Sequence, residues 1–245
     1  IVDATLGGAG HAAALLDARS DLTILGIDQD PHALAAAQAR LVPFGGRASV
    51  VRARFDQLAA VVAAAGAASQ PIVGVLFDLG VSSPQFDRAE RGFSYRHDAP
   101  LDMRMDTTRG RTAADLVNEL PERELAAILR ANADERFASR IARAMVAARP
   151  VHTTGELARL TVDAIPAPAR RTGGHPAKRT FQALRIAVND EIAVLGPALD
   201  AALAVTAPGG RVLAITYHSG EDRIVKARLR LADSNLLHDP AIRQL

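Results

Sequence analysis

The chain has 245 residues, of which 49% are hydrophobic and 4% aromatic. This length suits one large α/β domain or a domain with an insertion, with a core built mainly from aliphatic side chains. The absence of cysteine excludes disulfides, a thiolate nucleophile and a Cys-ligated metal, and the lack of a long apolar run or a signal peptide predicts a cytoplasmic protein. Because the sequence opens inside a strand-like run without Met, we expect a piece of a longer protein.

The net charge of +2 is unevenly distributed along the chain. Residues 101–188 carry 15 basic and 10 acidic side chains. A basic region is typical of a surface that meets a polyanion. Lysine occurs only at Lys178 and Lys226, however, so a general preference for arginine explains part of the pattern. Charge alone leaves a nucleic-acid partner and an ordinary solvated surface equally open.

Strands and helices alternate over the first third of the chain. The predicted strands are 1–5, 23–28, 48–53 and 72–79, and the predicted helices are 11–18, one that begins near residue 31, and 57–65. Repeated β-α-β units imply a parallel sheet with right-handed crossovers.

The pattern then becomes helical before the βα alternation returns. Apolar residues at helical spacing predict two or three helices within 112–149, another over 154–165, and a long one over 180–195. A Pro-Gly-Gly turn at 208–210 then leads into a fifth strand, 211–216, and a last helix, 219–231. The sequence therefore predicts an α/β sheet that a helical insert interrupts between its fourth and fifth strands.

Gly7, Gly8 and Gly10 lie between the first predicted strand and its helix. Glycine lets the backbone approach a ligand closely, and the helix that follows offers its N-terminal amides to an anion. Asp28 ends the next strand, where a carboxylate can accept both hydroxyls of a ribose. This combination favours an adenosine-type cofactor over an ordinary βα turn, and leaves a dinucleotide and S-adenosylmethionine both open.

Eight ordered blocks along the chain are similar to one protein family. They span 3–11, 26–31, 78–85, 90–94, 101–106, 135–142, 175–183 and 218–223, and include Asp78-Leu-Gly-Val-Ser-Ser-Pro-Gln85 and His175-Pro-Ala-Lys-Arg-Thr-Phe-Gln-Ala183. Together they resemble the bacterial small-subunit ribosomal RNA cytosine-N4 methyltransferase family (MraW/RsmH).

The resemblance implies S-adenosylmethionine as the cofactor, and methyl transfer to the exocyclic N4 amine of a cytidine in the decoding region of the small ribosomal subunit. It implies an α/β fold: a class I (Rossmann-like) methyltransferase core, residues 1–108 and 186–245, with an inserted all-helical, substrate-recognition domain, residues 109–185. The cofactor contacts that it implies are Ala9, Gly10, His11, Asp28, Phe55, Asp78 and Gln85. Ala9 stands where the family often has Gly, and Gly220 where Leu is usual.

The residue inventory narrows the methyl-transfer chemistry. Methylation of cytosine carbon-5 needs a covalent nucleophile, normally Cys, which this chain lacks. Transfer to an exocyclic amine needs acceptors that orient and polarise its N–H bonds. We predict Asp78 and Ser82 as catalytic residues, and leave direct proton acceptance by Asp78 open. Ser82 and Ser83 either contact the base or simply close the turn.

Aromatic and basic residues form the predicted substrate surface. The predicted substrate-binding residues are Ser83, Phe93, Tyr95, Lys178, Arg179, Phe181 and His218. Aromatic rings among them would stack on the base, and the basic, glycine-rich segment 170–181 suits phosphate contacts as well as a solvated loop. His218 either contacts the substrate or lies beside a capping box formed by Ser219 and Asp222.

The predicted partner is small-subunit ribosomal RNA or the assembled small subunit. The sequence predicts no membrane partner and no metal, because its histidines show no ligand spacing, and it leaves a homodimer open. Two other functions stay open: an NAD-dependent Rossmann dehydrogenase, and a non-catalytic RNA-binding factor in ribosome assembly.

Overall fold

The computed structural model describes residues 1–66, 70–171 and 174–237, with side chains except at 83, 171 and 232–237. The chain divides into two compact units. One, here called the sheet unit, comprises Ile1–Gly80 and the chain from Ile192 onwards, and the other, the helical unit, comprises Val81–Glu191.

The sheet unit contains a five-stranded parallel sheet in the order β3-β2-β1-β4-β5. The strands are β1 Val2–Asp3, β2 Ile24–Asp28, β3 Ala48–Arg52, β4 Ile72–Asp78 and β5 Thr206–Ile215. The helices of the two units, in chain order, are α1 Gly10–Ala18, α2 Pro31–Leu41, α3 Leu58–Ala64, α4 Ser83–Asp87, α5 Ala113–Glu119, α6 Glu122–Ala133, α7 Ala138–Ala147, α8 Thr154–Ala164, α9 Lys178–Asn189, α10 Glu191–Val205 and α11 Ser219–Leu237. The predicted Rossmann-like architecture, with helices inserted between the fourth and fifth strands, is confirmed.

Three carboxylates lie at the carboxyl edge of this sheet. Asp3, Asp28 and Asp78 end β1, β2 and β4, and β1 lies between the other two strands. Strand order reverses between β1 and β4, and ligands of open α/β sheets bind outside the strand ends at such a point. The topology therefore brings together at one edge three acidic residues that lie far apart in the sequence.

Two predicted boundaries differ in detail. The long helix expected over 180–195 is two helices, because Asp190 adopts a left-handed backbone conformation (φ 54°) at the end of α9. The fifth strand begins at Thr206 instead of residue 211, and its register with β4 jumps from Thr206 to Arg211, so the expected Pro-Gly-Gly turn forms an irregularity within the strand.

The helical unit begins well before residue 109, where the sequence analysis placed the insert. The loop from Val81 to Thr112 belongs to it because apolar side chains of that loop, among them Phe93, Leu101 and Met103, pack in the core that the helices form. At its other end the unit closes at Glu191, whose carboxylate accepts two hydrogen bonds from Arg185 at 2.9 Å.

Asn189 and Gly92 hold this loop in place. The Asn189 side chain donates to the carbonyls of Met103 and Arg185 and accepts from the amide of Met105, at 2.8–2.9 Å. Gly92 adopts φ 72°, and a Cβ there would lie 2.4 Å from the carbonyl oxygen of Pro100. The blocks 90–94 and 101–106 thus build the core of the helical unit.

Within the described ranges, no helix is long and apolar enough to cross a membrane.

Candidate active site

The turn between β1 and α1 leaves space at the helix N-terminus. Gly7 and Ala9 both adopt left-handed conformations (φ 51° and 59°), and the Ala9 amide donates to the carbonyl of Leu6 at 2.8 Å. A Cβ at Gly8 would meet no atom within 4 Å, and α1 has no side-chain cap. The first amides of α1 are therefore available to a ligand that approaches the Gly8 backbone.

Asp28 ties this turn to the neighbouring strand. Its carboxylate accepts hydrogen bonds from the amides of Gly7 and Asp30, each at 2.8 Å. Burial raises the pKa of Asp28, and these hydrogen bonds oppose that rise. The Gln29 amide is a third backbone donor to this carboxylate. A carboxylate offers about four acceptor sites, so a ligand hydroxyl can use the one that remains.

Asp78 is the centre of a hydrogen-bonded cluster at the tip of β4. Its amide donates to Oγ1 of Thr5 at 2.6 Å, and its Oδ1 accepts from the Tyr217 hydroxyl at 3.0 Å. Nδ1 of His11 lies 3.7 Å from Oδ2 of the same carboxylate. The hydrogen bond to Asp78 raises the pKa of Tyr217. The structure thus brings two of the predicted residues, His11 and Asp78, close together and adds Thr5 and Tyr217 to them.

Tyr217 is a site residue that the sequence analysis missed. It is 69% exposed although its hydroxyl is tied to Asp78, and its ring lies against the backbone of Gly80. A Cβ at Gly80, which has φ 88°, would lie 3.3 Å from Cδ2 of Tyr217. An aromatic residue directly after β5 was the available signal, because the carboxyl end of a parallel strand faces the ligand edge.

Asp3 was also missed. Asp3 is 1% exposed, and burial raises its pKa to about 6, although a hydrogen bond from the Thr5 amide and the nearby His11 side chain both lower it. The position of this carboxylate at the end of the central strand was the available signal. Asp3 therefore places a second titratable acid beneath the site, with a pKa closer to neutrality than that of an ordinary carboxylate.

His218 lies beside Glu221. The Glu221 carboxylate accepts hydrogen bonds from the amides of Tyr217 and His218 at 2.9 and 3.3 Å, and its Oε1 lies 3.1 Å from Nε2 of His218. Nδ1 of His218 accepts from the Glu221 amide at 3.3 Å. Glu221, and not the Ser219–Asp222 pair that the sequence suggested, therefore caps the start of α11, and His218 directs both ring nitrogens towards it.

Phe55 and Gly10, two further predicted cofactor contacts, also belong to the sheet unit. The Phe55 ring packs edge-on against Phe77 with centroids 6.0 Å apart, after the end of β3. Gly10 begins α1, where an added Cβ would lie 3.5 Å from a guanidinium nitrogen of Arg40. Ala9, Gly10, His11, Asp28, Phe55 and Asp78 thus all belong to the sheet unit.

The remaining predicted residues near Asp78 in sequence belong to the helical unit. Ser82 and Gln85 form a capping box at the start of α4, in which the Gln85 side chain accepts from the Ser82 amide at 3.0 Å. Gln85 is buried. The side chain of Ser83 lies outside the described residues.

The predicted aromatic residues divide between core and surface. Phe93 and Phe181 are 5% and 3% exposed and lie in the core of the helical unit, so base stacking by these two rings would require the core to open. Tyr95 is half-buried. Lys178 and Arg179 begin α9 and are exposed, and Arg179 donates to the carbonyl of Asp134 at 3.0 Å. Across the described side chains, no group of three or more His, Asp or Glu residues is arranged to hold a metal ion.

Comparison with known proteins identifies the family. Residues 1–241 match the MraW methylase family. The chain is 56% identical over 235 residues to ribosomal RNA small subunit methyltransferase H of Mycobacterium sp. (strain KMS), covering 96% of this chain and 63% of that protein. It is 56% identical over 229 residues to the protein of the same name from Symbiobacterium thermophilum, covering 92% and 71% of the two chains. The chain spans less than two thirds of the mycobacterial relative's length. On the match over residues 1–241, the chain belongs to the MraW methylase family.

Proposed function

We propose that this protein transfers a methyl group from S-adenosylmethionine to the exocyclic N4 amine of a cytidine in small-subunit ribosomal RNA. The observation that carries the proposal is the Asp78 carboxylate, held by Tyr217 and beside His11 at the switch point of a Rossmann-like sheet. The relatives are named as methyltransferases of small-subunit ribosomal RNA, and these names indicate the substrate class.

The sheet unit has features that fit the cofactor. Asp28 would accept a ribose hydroxyl at the carboxyl end of β2, while the open backbone at Gly8 and the first amides of α1 would receive the amino-acid part. Phe55 would contact the adenine. S-adenosylmethionine, once bound, supplies an electrophilic methyl on a positively charged sulfur.

Asp78 would act on the nucleophile. The lone pair of an exocyclic amine is delocalised into the base, so an acceptor that engages its N–H bond makes the nitrogen more nucleophilic and fixes its direction. Positive charge develops on this nitrogen as the methyl is transferred, and a carboxylate in contact stabilises that charge until the amine proton passes to the carboxylate or to water. The Tyr217 hydroxyl would hold Asp78 in this orientation by occupying one of its two oxygens.

The helical unit would recognise the substrate. Lys178 and Arg179, which are exposed at the start of α9, would contact the RNA. A ribosomal substrate would place the protein in the cytoplasm.

The direct test is methyl transfer from labelled S-adenosylmethionine into small ribosomal subunits, followed by mass mapping of the modified cytidines. We expect label at one cytidine N4 with the natural protein and none with Asp78→Ala. Binding of S-adenosylmethionine without transfer to naked RNA or to any ribosomal particle would instead favour an RNA-binding assembly factor. A rise in melting temperature with NAD but not with S-adenosylmethionine would favour a dehydrogenase.

A further inference from the structure

We propose that the helical unit carries a binding subsite for single-stranded RNA, in which one base stacks on His175 while neighbouring phosphates contact Lys178, Arg179 and the arginines of the α6–α7 turn. This inference rests on the proposed function, which makes RNA the substrate. It assigns the stacking role to a ring that the sequence analysis did not single out.

Three aromatic rings form a ladder from the core to the surface of this unit. Phe181, which is buried, packs edge-on against Tyr95 with ring centroids 5.6 Å apart and an angle of 84°. Tyr95 in turn lies parallel to His175, with centroids 4.3 Å apart and an angle of 10° between the rings. Each ring supports the next, so the outermost one is held by contacts that reach the hydrophobic core.

The His175 ring is suited to be the last protein layer of this stack. The residue is exposed and Tyr95 covers one face of its imidazole, so the opposite face is the one on which a base could stack. Nδ1 of His175 accepts a hydrogen bond from the Ala177 amide at 3.2 Å, which fixes the ring plane. A flat, fixed and solvent-facing ring is the kind of platform on which unpaired RNA bases stack.

Exposed basic side chains follow this platform in the chain. Lys178 and Arg179 are exposed in the first turn of α9, which has no side-chain cap. Arg179 donates to the carbonyl of Asp134, and this bond ties the start of α9 to the turn between α6 and α7. Arg130, Arg136 and Arg140 flank that turn and are all exposed.

The acidic groups near the turn do not cancel this charge. Asp134 is exposed, whereas Glu135 is 5% exposed and its carboxylate accepts from the Phe137 amide at 2.9 Å. The α6–α7 turn with its flanks and the start of α9 thus carry five exposed basic side chains and one exposed acidic one. Phosphates beside a stacked base satisfy both features, whereas an acidic peptide would use only the charge, and a duplex would keep its bases away from the ring.

The test is fluorescence anisotropy of the full chain with a short labelled cytidine-rich single-stranded RNA. Loss of one stacked base costs about 1–3 kcal/mol, so we expect His175→Ala to weaken binding by about tenfold, with His175→Phe close to the natural affinity. The same oligonucleotide with abasic sites should remove the difference between His175→Ala and the natural protein. Unchanged affinity of His175→Ala, equal weakness of His175→Phe, or no binding of the natural protein would overturn the inference.

The phosphate contacts are tested by salt dependence. Replacing Lys178 and Arg140 together by Gln should lower the slope of log affinity against log salt by about 1.4, since each phosphate contact to a single strand contributes about 0.7. Arg230→Gln, an exposed arginine of α11, is the matched control and should leave the slope unchanged. Equal slopes for all three proteins would overturn the assignment of the basic rim. RNA binding is measured without S-adenosylmethionine. Its result therefore does not depend on whether the protein transfers a methyl group.

Discussion

The hydroxyl of Tyr217 donates a hydrogen bond to Oδ1 of Asp78 at 3.0 Å. This bond joins the residue that follows β5 to the carboxylate at the tip of β4, and leaves Oδ2 of Asp78 facing His11. The Asp78 carboxylate is therefore oriented by a hydrogen bond to one of its two oxygens. Both its charge and its orientation can be tested by substitution.

Asp78→Asn should reduce methyl transfer by about a hundredfold or more, because an amide cannot stabilise the charge that develops on the amine as a carboxylate does. The amide oxygen can still accept from Tyr217, so the local structure should be retained. Initial rates at saturating S-adenosylmethionine, together with cofactor affinity by calorimetry, measure the effect. A rate within a few-fold of the natural one would show that the Asp78 charge is not used.

Tyr217→Phe should lower the transfer rate by about tenfold, because Asp78 loses the hydrogen bond that orients it. Tyr217 is largely exposed, so its hydroxyl adds little to stability, and the melting temperature should stay close to that of the natural protein. Cofactor affinity should also be unchanged. Equal rates for the two proteins would mean that Asp78 is held in place by Thr5 and the strand alone.

Asp3 should make stability depend on pH. Burial raises the pKa of Asp3 in the folded protein from 3.8 to about 6. Between these two pH values the Asp3 carboxyl is therefore protonated in the folded protein and ionised in the unfolded chain. Stability from this group is therefore fully present below about pH 4 and is lost as the pH rises to about 6, by roughly 3 kcal/mol in total. Urea unfolding between pH 4 and 7 measures the change.

Asp3→Asn is the comparison for that experiment. This variant cannot titrate at position 3, so its stability should decline less between pH 4 and 6 than that of the natural protein. Asp28 also has a raised pKa and is present in both proteins, which means that only the difference between the two curves reports on Asp3. Parallel curves would show that Asp3 titrates as an ordinary aspartate.

Gly92→Ala should destabilise the helical unit by more than about 2 kcal/mol, because the added Cβ would lie 2.4 Å from the Pro100 carbonyl in a left-handed conformation. Gly110→Ala is the matched control: Gly110 has φ 81°, but its Cβ would meet nothing within 4 Å. The control should lose only about 1 kcal/mol from backbone strain. Equal urea midpoints for the two variants would show that the loop moves to accommodate the methyl group.

Much of the sheet unit could be predicted because its signals are local. The β-α-β alternation follows from the periodicity of apolar residues, and the glycine turn and Asp28 follow from their spacing after β1. Asp78 was predicted because it ends a buried run of apolar residues. The predicted parallel sheet with a helical insert is confirmed. Its elements could be predicted because each is determined by residues that lie close together in the sequence.

The tertiary structure alone decided which side chains meet. Tyr217 and Asp78 lie 139 positions apart, and their contact depends on the pairing of β5 with β4. Phe93 is a predicted substrate-binding residue, yet it packs with Met103 in the core of the helical unit. Periodicity describes one segment at a time, so it cannot show whether a ring in a loop is buried by helices elsewhere in the chain.

The sequence by itself thus determined the family, the fold class and two of the three carboxylates at the sheet edge, Asp28 and Asp78, because short-range patterns and ordered blocks carry that information. Only the tertiary structure decided that Asp78 is held by Tyr217, that Asp3 is buried beneath the site, and that His175 is the outermost ring of a stack on the core. The physical reason is that burial, hydrogen bonding and ring stacking are set by long-range packing.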